Sequence, residues 1–445
     1  MTQVPRSAFL VFRWCWRFTV RSWLLASVGF LFVQPPTRSE EPSTKNQEQR
    51  ADPFRPEAGQ FPPLEQAHSY RGELVFVDHA NRRGSIRVQG SGMFFRNDPH
   101  PFVMLPYGIV RYHGAPADLR EIPLGTVMRV RAFLPPDPTI SPVPVLPVDN
   151  KSKDGNHNRG AGIFPAENHV LLLEDEPSYC LGEGKIWKLK EVDIKDNAGI
   201  IVASLEPKEG GAGAVSEETL TFDAATHIWR GRECLDIEDL IAEGIWPSES
   251  KKSLDGQVVL LGITWKPTPD GVFTRFHISD IWLDDTAIER AAHHQTETHK
   301  AFIRSRWMPA WIDAVEYGKF GRAIVTATLF GGMDESLYAD FKKDVPAMIN
   351  AVENTLKHTH GDYGPAHMAS RGSILDVTMT DGDAPLGSSG IQIRFETDLI
   401  IEGIRPGRVV RIRPDSWPLV QVPREEYLRD SIEERFPTPA IFPKY

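Results

Sequence analysis

Cysteine is scarce in this sequence, with three residues in 445, at Cys15, Cys180 and Cys234. That count excludes a disulfide-dense scaffold and any cysteine-rich zinc module. There is no Gly-x-x-x-x-Gly-Lys-Ser/Thr phosphate loop, no Gly-x-Gly-x-x-Gly turn and no Cys-x-x-Cys pair, so the common nucleotide and thiol-redox signatures are absent. Gly387-Ser388-Ser389-Gly390 lacks the Gly-x-Ser-x-Gly spacing of a hydrolase nucleophile turn. Positive charge is also short, with a formal net charge of −10. Arg6, Arg13, Arg17 and Arg21 fall in the first 33 residues, which leaves the remainder more acidic still. An acidic body without a basic stripe repels a phosphate backbone, and sequence-independent nucleic-acid binding is disfavoured. Catalysis stays open, but the missing motifs lean against an enzyme.

What the chain does have is a repeat. Gly125-Thr126-Val127-Met128-Arg129-Val130, Gly256-Gln257-Val258-Val259-Leu260-Leu261 and Gly407-Arg408-Val409-Val410-Arg411-Ile412 each read as a glycine turn feeding an apolar strand. Upstream of each lies a hairpin opener, with Val77-Asp78 before Gly84, Val192-Asp193 before Gly199 and Val315-Glu316 before Gly321. Between opener and closer a strand ends at glycine: Tyr112-His113-Gly114, Trp229-Arg230-Gly231 and His358-Thr359-His360-Gly361. Three spaced copies of one supersecondary unit imply three small β-domains in tandem.

Residues 1–33 combine arginines with the apolar run Trp23–Val33, the pattern of a signal peptide or an uncleaved N-terminal anchor. Residues 34–69 are rich in Pro, Glu, Gln and Ser and read as a disordered spacer. The first domain is expected over 70–134, followed by a Pro/Gly-rich linker over 135–168. The second spans 169–284, a linking helix with Asp285 at its N-cap covers 285–306, and the third spans 307–416 with a helical insertion at Met333–Asp344. A Pro-rich tail over 417–445 carries one short helix at Arg424–Arg435.

The hairpin, the strand ending at glycine, the short Asp-Leu element and the closing Gly-x-Val strand together resemble OB-type barrels. Thr226-His227-Ile228-Trp229, Asp239-Leu240 and Gly256-Gln257-Val258 are similar to exported bacterial proteins of unknown function built of tandem OB-like domains. The resemblance implies a mainly β fold of three OB-like barrels, which as a class bind oligonucleotides or oligosaccharides across one face. It carries over no binding residue.

Trp229, Arg230 and Arg232, with Tyr112 and His113 at the equivalent place of the first unit, are the candidate ligand-binding group, since aromatic faces beside cations suit stacking. Tryptophan at an apolar strand position otherwise fills a core. His293, His299, His358 and His360 are candidate ligands for a transition metal, though the helical pair lacks i, i+4 spacing. Cys180 and Cys234 are either a disulfide closing the second unit or two free thiols. No resident cofactor is implied beyond that metal. The expectation is an exported, periplasmic or extracellular binding or scaffold protein. Its partner would be an envelope polysaccharide or protein rather than nucleic acid, and it would touch a membrane only through residues 1–33. The alternatives are an exported metal-binding protein or metalloenzyme, and a membrane-anchored envelope-assembly protein.

Overall fold

A computed structural model describes residues 54–57, 59–79, 82–88, 99–134, 169–208, 214–248, 250–267, 274–351, 369–380, 382–398 and 404–420. The fold is mainly β, with three small closed β-barrels in tandem. The first uses β1 (His68–Asp78), β2 (Arg83–Val88), β3 (Pro99–Tyr112), the short β4 (Ala115–Ala117), β5 (Val127–Phe133) and β6 (His169–Asp175). It closes in the order β1-β2-β3-β6-β5 and back to β1, with β3 and β6 parallel. After α1 (Glu176–Gly182) comes the second barrel: β7 (Lys185–Lys195), β8 (Ala198–Pro207), β9 (Ser216–Phe222), β10 (His227–Arg230), β11 (Glu233–Leu235), α2 (Ile237–Ala242), β12 (Ser250–Pro267) and β13 (Thr274–Trp282). It repeats the first closure, with β9 and β10 sharing the place of β3 and pairing in parallel with β13. The helix α3 (Asp285–Arg306) leads to the third barrel. That barrel is built of β14 (Met308–Tyr317), β15 (Ala323–Phe330), the single turn α4 (Glu335–Tyr338), β16 (Pro346–Ala351), β17 (Ser370–Met379), β18 (Ser388–Thr397) and β19 (Val409–Pro414). It differs in closing with six antiparallel strands, β14-β15-β18-β17-β16-β19.

The repeat read in the sequence has a common physical cause. Each first strand shifts register by one residue just past a fully buried side chain, at Leu74/Phe76, Leu189/Glu191 and Ile312/Ala314. The repeated glycine turn comes against that bulge. Gly125 N–H donates to Leu74 O at 2.8 Å and receives the Leu74 N–H at the next carbonyl, and Gly407 and Ile312 do the same in the third barrel. Gln257 pairs with Leu189 in the second. Gly125, Gly256 and Gly407 all have positive φ, of 96°, 76° and 77°, a conformation that costs any residue with a Cβ.

Several boundaries move. The segment 135–168 does not separate domains: β6 lies beyond it, yet pairs with β5 and β3 and completes the first barrel. Local composition cannot tell an insertion from a linker, because only the pairing beyond it decides. The spacer ends earlier than 69. Phe54 packs on Phe133 with ring centroids 5.6 Å apart, and Phe61 lies 4.9 Å from Tyr107 and 6.3 Å from Phe330. These two phenylalanines fill an apolar patch shared by the first and third barrels, which a compositional average hides. Trp417 belongs to the third core, its Nε1–H donating to Asp340 Oδ2 at 2.8 Å, so that domain runs past 416. The insertion at Met333–Asp344 is helical only over α4. The leader expected at residues 1–33 and the helix expected at Arg424–Arg435 lie outside the described residues.

The linking helix covers 285–306 as expected, but Asp284 rather than Asp285 caps it, accepting from Ala287 N–H at 2.9 Å. Its buried residues Ile288, Gln295, His299, Ile303 and Arg306 form one stripe of helical period. Gln295 Nε2–H donates to Glu121 Oε2 at 2.6 Å, so the helix rests on the first barrel while joining the other two.

Candidate functional site

The strands ending at glycine turn out to be clamped by the strand beside them. In the first barrel β6 ends at buried Asp175, whose carboxylate accepts from the His113 and Ser178 N–H groups at 2.9 and 3.0 Å. In the second, Asp284 accepts from Gly231 N–H at 2.8 Å while capping α3. One aspartate thus starts a helix and fixes the turn, and this sets where Tyr112, His113 and Trp229 point. Helix starts favour aspartate for this reason.

The two turns approach the same strand, Trp229 at Asp280 and His113 at Trp282 two residues on. Asp280 lies on the outer face of β13, paired with His227 of β10 and with Gly262 of β12. Its Oδ1 accepts from Trp229 Nε1–H at 2.9 Å and lies 3.5 Å from His227 Nδ1. The His227 and Trp229 rings are 5.8 Å apart and tilted by 40°. From the first barrel, Tyr112 stacks on His113 at 3.8 Å, and His113 stands edge-on to Trp282 at 5.2 Å. Burial, reinforced by Asp175 and Asp280, pushes the Tyr112 phenol above its ordinary range. Burial holds the His113 imidazole below its ordinary value, opposed by those two carboxylates. His113 is therefore neutral near pH 7 and its ring is wall rather than charge.

The arrangement is a carboxylate partly open to solvent, bonded by Trp229 beside His227, with Tyr112 and His113 of the first barrel close enough to feel its charge. The His227 side chain is 59% exposed and Asp280 23%, so a ligand reaches them without displacing a core. Of the sequence candidates, Tyr112, His113 and Trp229 come together here. Arg230 does not, because its guanidinium is held by Glu243 at 2.6 and 3.0 Å and by Glu233 at 3.3 Å. Arg232 is exposed on the turn beyond it. Sequence reading missed Asp280 and His227 as members. The signal available was their polarity at outer positions of strands whose inner positions are apolar.

Three other candidates fare differently. His293 is exposed and His299 buried, on different faces of α3, so the two do not share a metal. His299 faces Glu121 at 3.5 Å instead. His358 and His360 lie outside the described residues, and among the described residues no three of His, Cys, Asp and Glu are placed to hold a metal. Cys180 and Cys234 are free thiols, one buried in α1 against the second core and the other exposed on β11, which corrects the disulfide. No family model, curated protein or solved structure matches the chain.

Proposed function

We infer that the chain is an exported, non-catalytic binding protein that takes an oligosaccharide at the Asp280 junction between its first two barrels. The observation that carries this reading is the carboxylate bonded by Trp229, with aromatic rings of the first barrel close by. A sugar ring offers an apolar C–H face to Trp229 and Tyr112 and hydroxyl donors to the open side of Asp280. A phosphate backbone would meet a carboxylate there, which argues against nucleic acid. Closed barrels of the first two units' topology have bound saccharides on an outer face, and this supports the class of ligand without fixing its identity. Export rests on the basic and apolar pattern of residues 1–33.

Binding of the full chain to an array of bacterial envelope glycans tests the reading. Glycan signals should be retained by Arg232→Ala and lost by Asp280→Asn and Trp229→Ala. An array with no signal, or signals indifferent to both of the latter changes, overturns it. Turnover that depends on Asp280 would overturn the non-catalytic part alone.

A further inference from the structure

The third barrel carries an oddity at the opposite end of its chemistry from the Asp280 junction. The hairpin between β14 and β15 turns at Lys319-Phe320-Gly321-Arg322, closed by Arg322 N–H donating to Lys319 O at 3.3 Å and Gly318 N–H donating to Arg322 O at 2.8 Å. Both central residues are left-handed, Phe320 at φ 61° and Gly321 at φ 77°. Two-residue turns of that kind favour asparagine or glycine in the first place, and a bulky side chain there is strained. Among the described residues nothing covers the phenyl ring in return. Phe320 is 97% exposed and Tyr317, at the base of the hairpin, 65%. Strain together with exposure of an aromatic ring marks a residue kept for something outside the chain.

The surroundings identify the class of partner. Lys319 and Arg322 are both exposed and flank Phe320 in the chain; of the two carboxylates lining the same surface, Glu316 is paired with Arg394 at 2.9 Å and Glu396 lies opposite Ile324 on β18. Two exposed aromatic rings, Phe320 in the turn and Tyr317 at its base, with a cation next to Phe320 on one side and one residue beyond Gly321 on the other, match a bilayer surface. The Phe320 ring enters the headgroup boundary and the two long side chains reach anionic headgroups. We propose that the Tyr317–Arg322 hairpin is a membrane-surface contact that inserts Phe320 into an anionic lipid leaflet.

The test is local, because residues 1–33 can themselves bring the chain to vesicles. Amide hydrogen exchange of the peptide spanning residues 314–326 is followed in the full chain, with and without vesicles of phosphatidylglycerol and phosphatidylcholine, and with phosphatidylcholine alone. Exchange at the tip should slow with the anionic vesicles and much less with the neutral ones. Phe320→Asn is the decisive variant, since Asn-Gly suits the turn. It should keep or raise the thermal midpoint while tip exchange returns to its vesicle-free rate. The double change Lys319→Glu, Arg322→Glu should abolish the preference for anionic vesicles. Tip exchange unaffected by vesicles, or slowed equally in Phe320→Asn, overturns the proposal. Protection by an added soluble protein and not by lipid would assign the tip to a protein partner and overturn it too.

Discussion

The first two barrels close along the same seam and hold it by different means. In each, the third strand is interrupted for four residues before it resumes toward the glycine turn. In barrel one the interruption is Leu105-Pro106-Tyr107-Gly108, where the pairing of β3 with β6 skips from Met104 to Ile109. Half-buried Arg82 bridges the gap, its Nη1–H and Nη2–H donating to Pro106 O at 2.6 Å and Gly108 O at 2.7 Å. Five main-chain register pairs hold the rest. In barrel two the interruption is Asp223-Ala224-Ala225-Thr226, the strand breaks into β9 and β10, and β9 keeps one register pair with β13, Thr221 with His277. β10 adds three register pairs beyond the interruption, and side chains bridge the interruption itself. Thr226 Oγ1–H donates to Ile278 O at 2.8 Å, Thr221 Oγ1 lies 3.0 Å from His277 Nδ1, and Lys266 Nζ–H donates to Asp223 Oδ2 at 2.6 Å. The break leaves β10 to pair on its own with the part of β13 that carries Asp280. Main-chain pairing along the seam falls only from five register pairs to four, but the broken strand leaves β10 as a separately placed segment between β11 and β13, and the candidate site is on it.

The largest break in this comparison is Arg82→Ala. It leaves two carbonyls of an interrupted strand without their charged donor, and barrel one should lose about 3–4 kcal/mol, read from its urea transition. Barrel two should be unaffected. Equal losses in both would mean that the barrels do not melt as separate seams.

Acid should separate the seams next. His169 opens β6 opposite Val103, is fully buried, and has no partner on either ring nitrogen among the described residues. Burial lowers its pKa to about 4. The folded state therefore binds fewer protons than the unfolded one below the ordinary histidine range. The stability this contributes is present above about pH 6.5 and is lost as pH falls through about 4, on the order of 3 kcal/mol. His277, also buried, is lowered in the same direction by burial and by Lys266, against Asp223, and its loss on acidification has the same sign. His169→Leu should flatten the pH 4–7 limb of barrel one and leave that of barrel two. An unchanged limb in that variant would mean that His169 is not the group titrating.

How much of this was legible in the sequence divides along range. The glycine turns at Gly125, Gly256 and Gly407 and the strands beside them are set by local sterics, so three similar barrels could be read from the chain. The α3 helix was legible for the same reason, through its apolar spacing. Membership of β6 in the first barrel was not, because 34 residues of insertion lie before it and nothing local marks where it pairs. The approach of Tyr112 and His113 to Asp280 was not legible either. Each residue was visible as polar or aromatic, but their approach to one another depends on how two barrels pack. Arg230 shows the converse: it looked exposed beside Trp229, and a glutamate thirteen residues on holds it.

Within barrel two, Thr226→Val is the cleaner cut. It keeps the side chain's shape and removes the donor to Ile278 O from a buried position, so the expected loss is about 1–2 kcal/mol. On the proposed glycan reading the same variant should also weaken binding at Asp280, since Thr226 immediately precedes β10. Loss of stability with full binding would show that β10 is placed by its own pairing with β13 rather than by the stitch before it.

The smallest effect separates the two kinds of stitch. Asp223 and Lys266 form the shortest ionic contact of the seam, but their side chains are 38% and 40% exposed. Burial pushes the Asp223 carboxyl up, and the hydrogen bond from Lys266 with neighbouring donors more than offsets it, leaving it below its ordinary value. Water and salt weaken such a pair, so Asp223→Asn should cost about 0.5 kcal/mol, with the difference shrinking further at high salt. The buried Thr226 hydroxyl, though neutral, should matter more than this charged contact. If Asp223→Asn instead costs as much as Thr226→Val and the loss survives high salt, the seam is held by charge, and barrel two should lose a further increment below about pH 4, where Asp223 protonates, beneath the limb of His277.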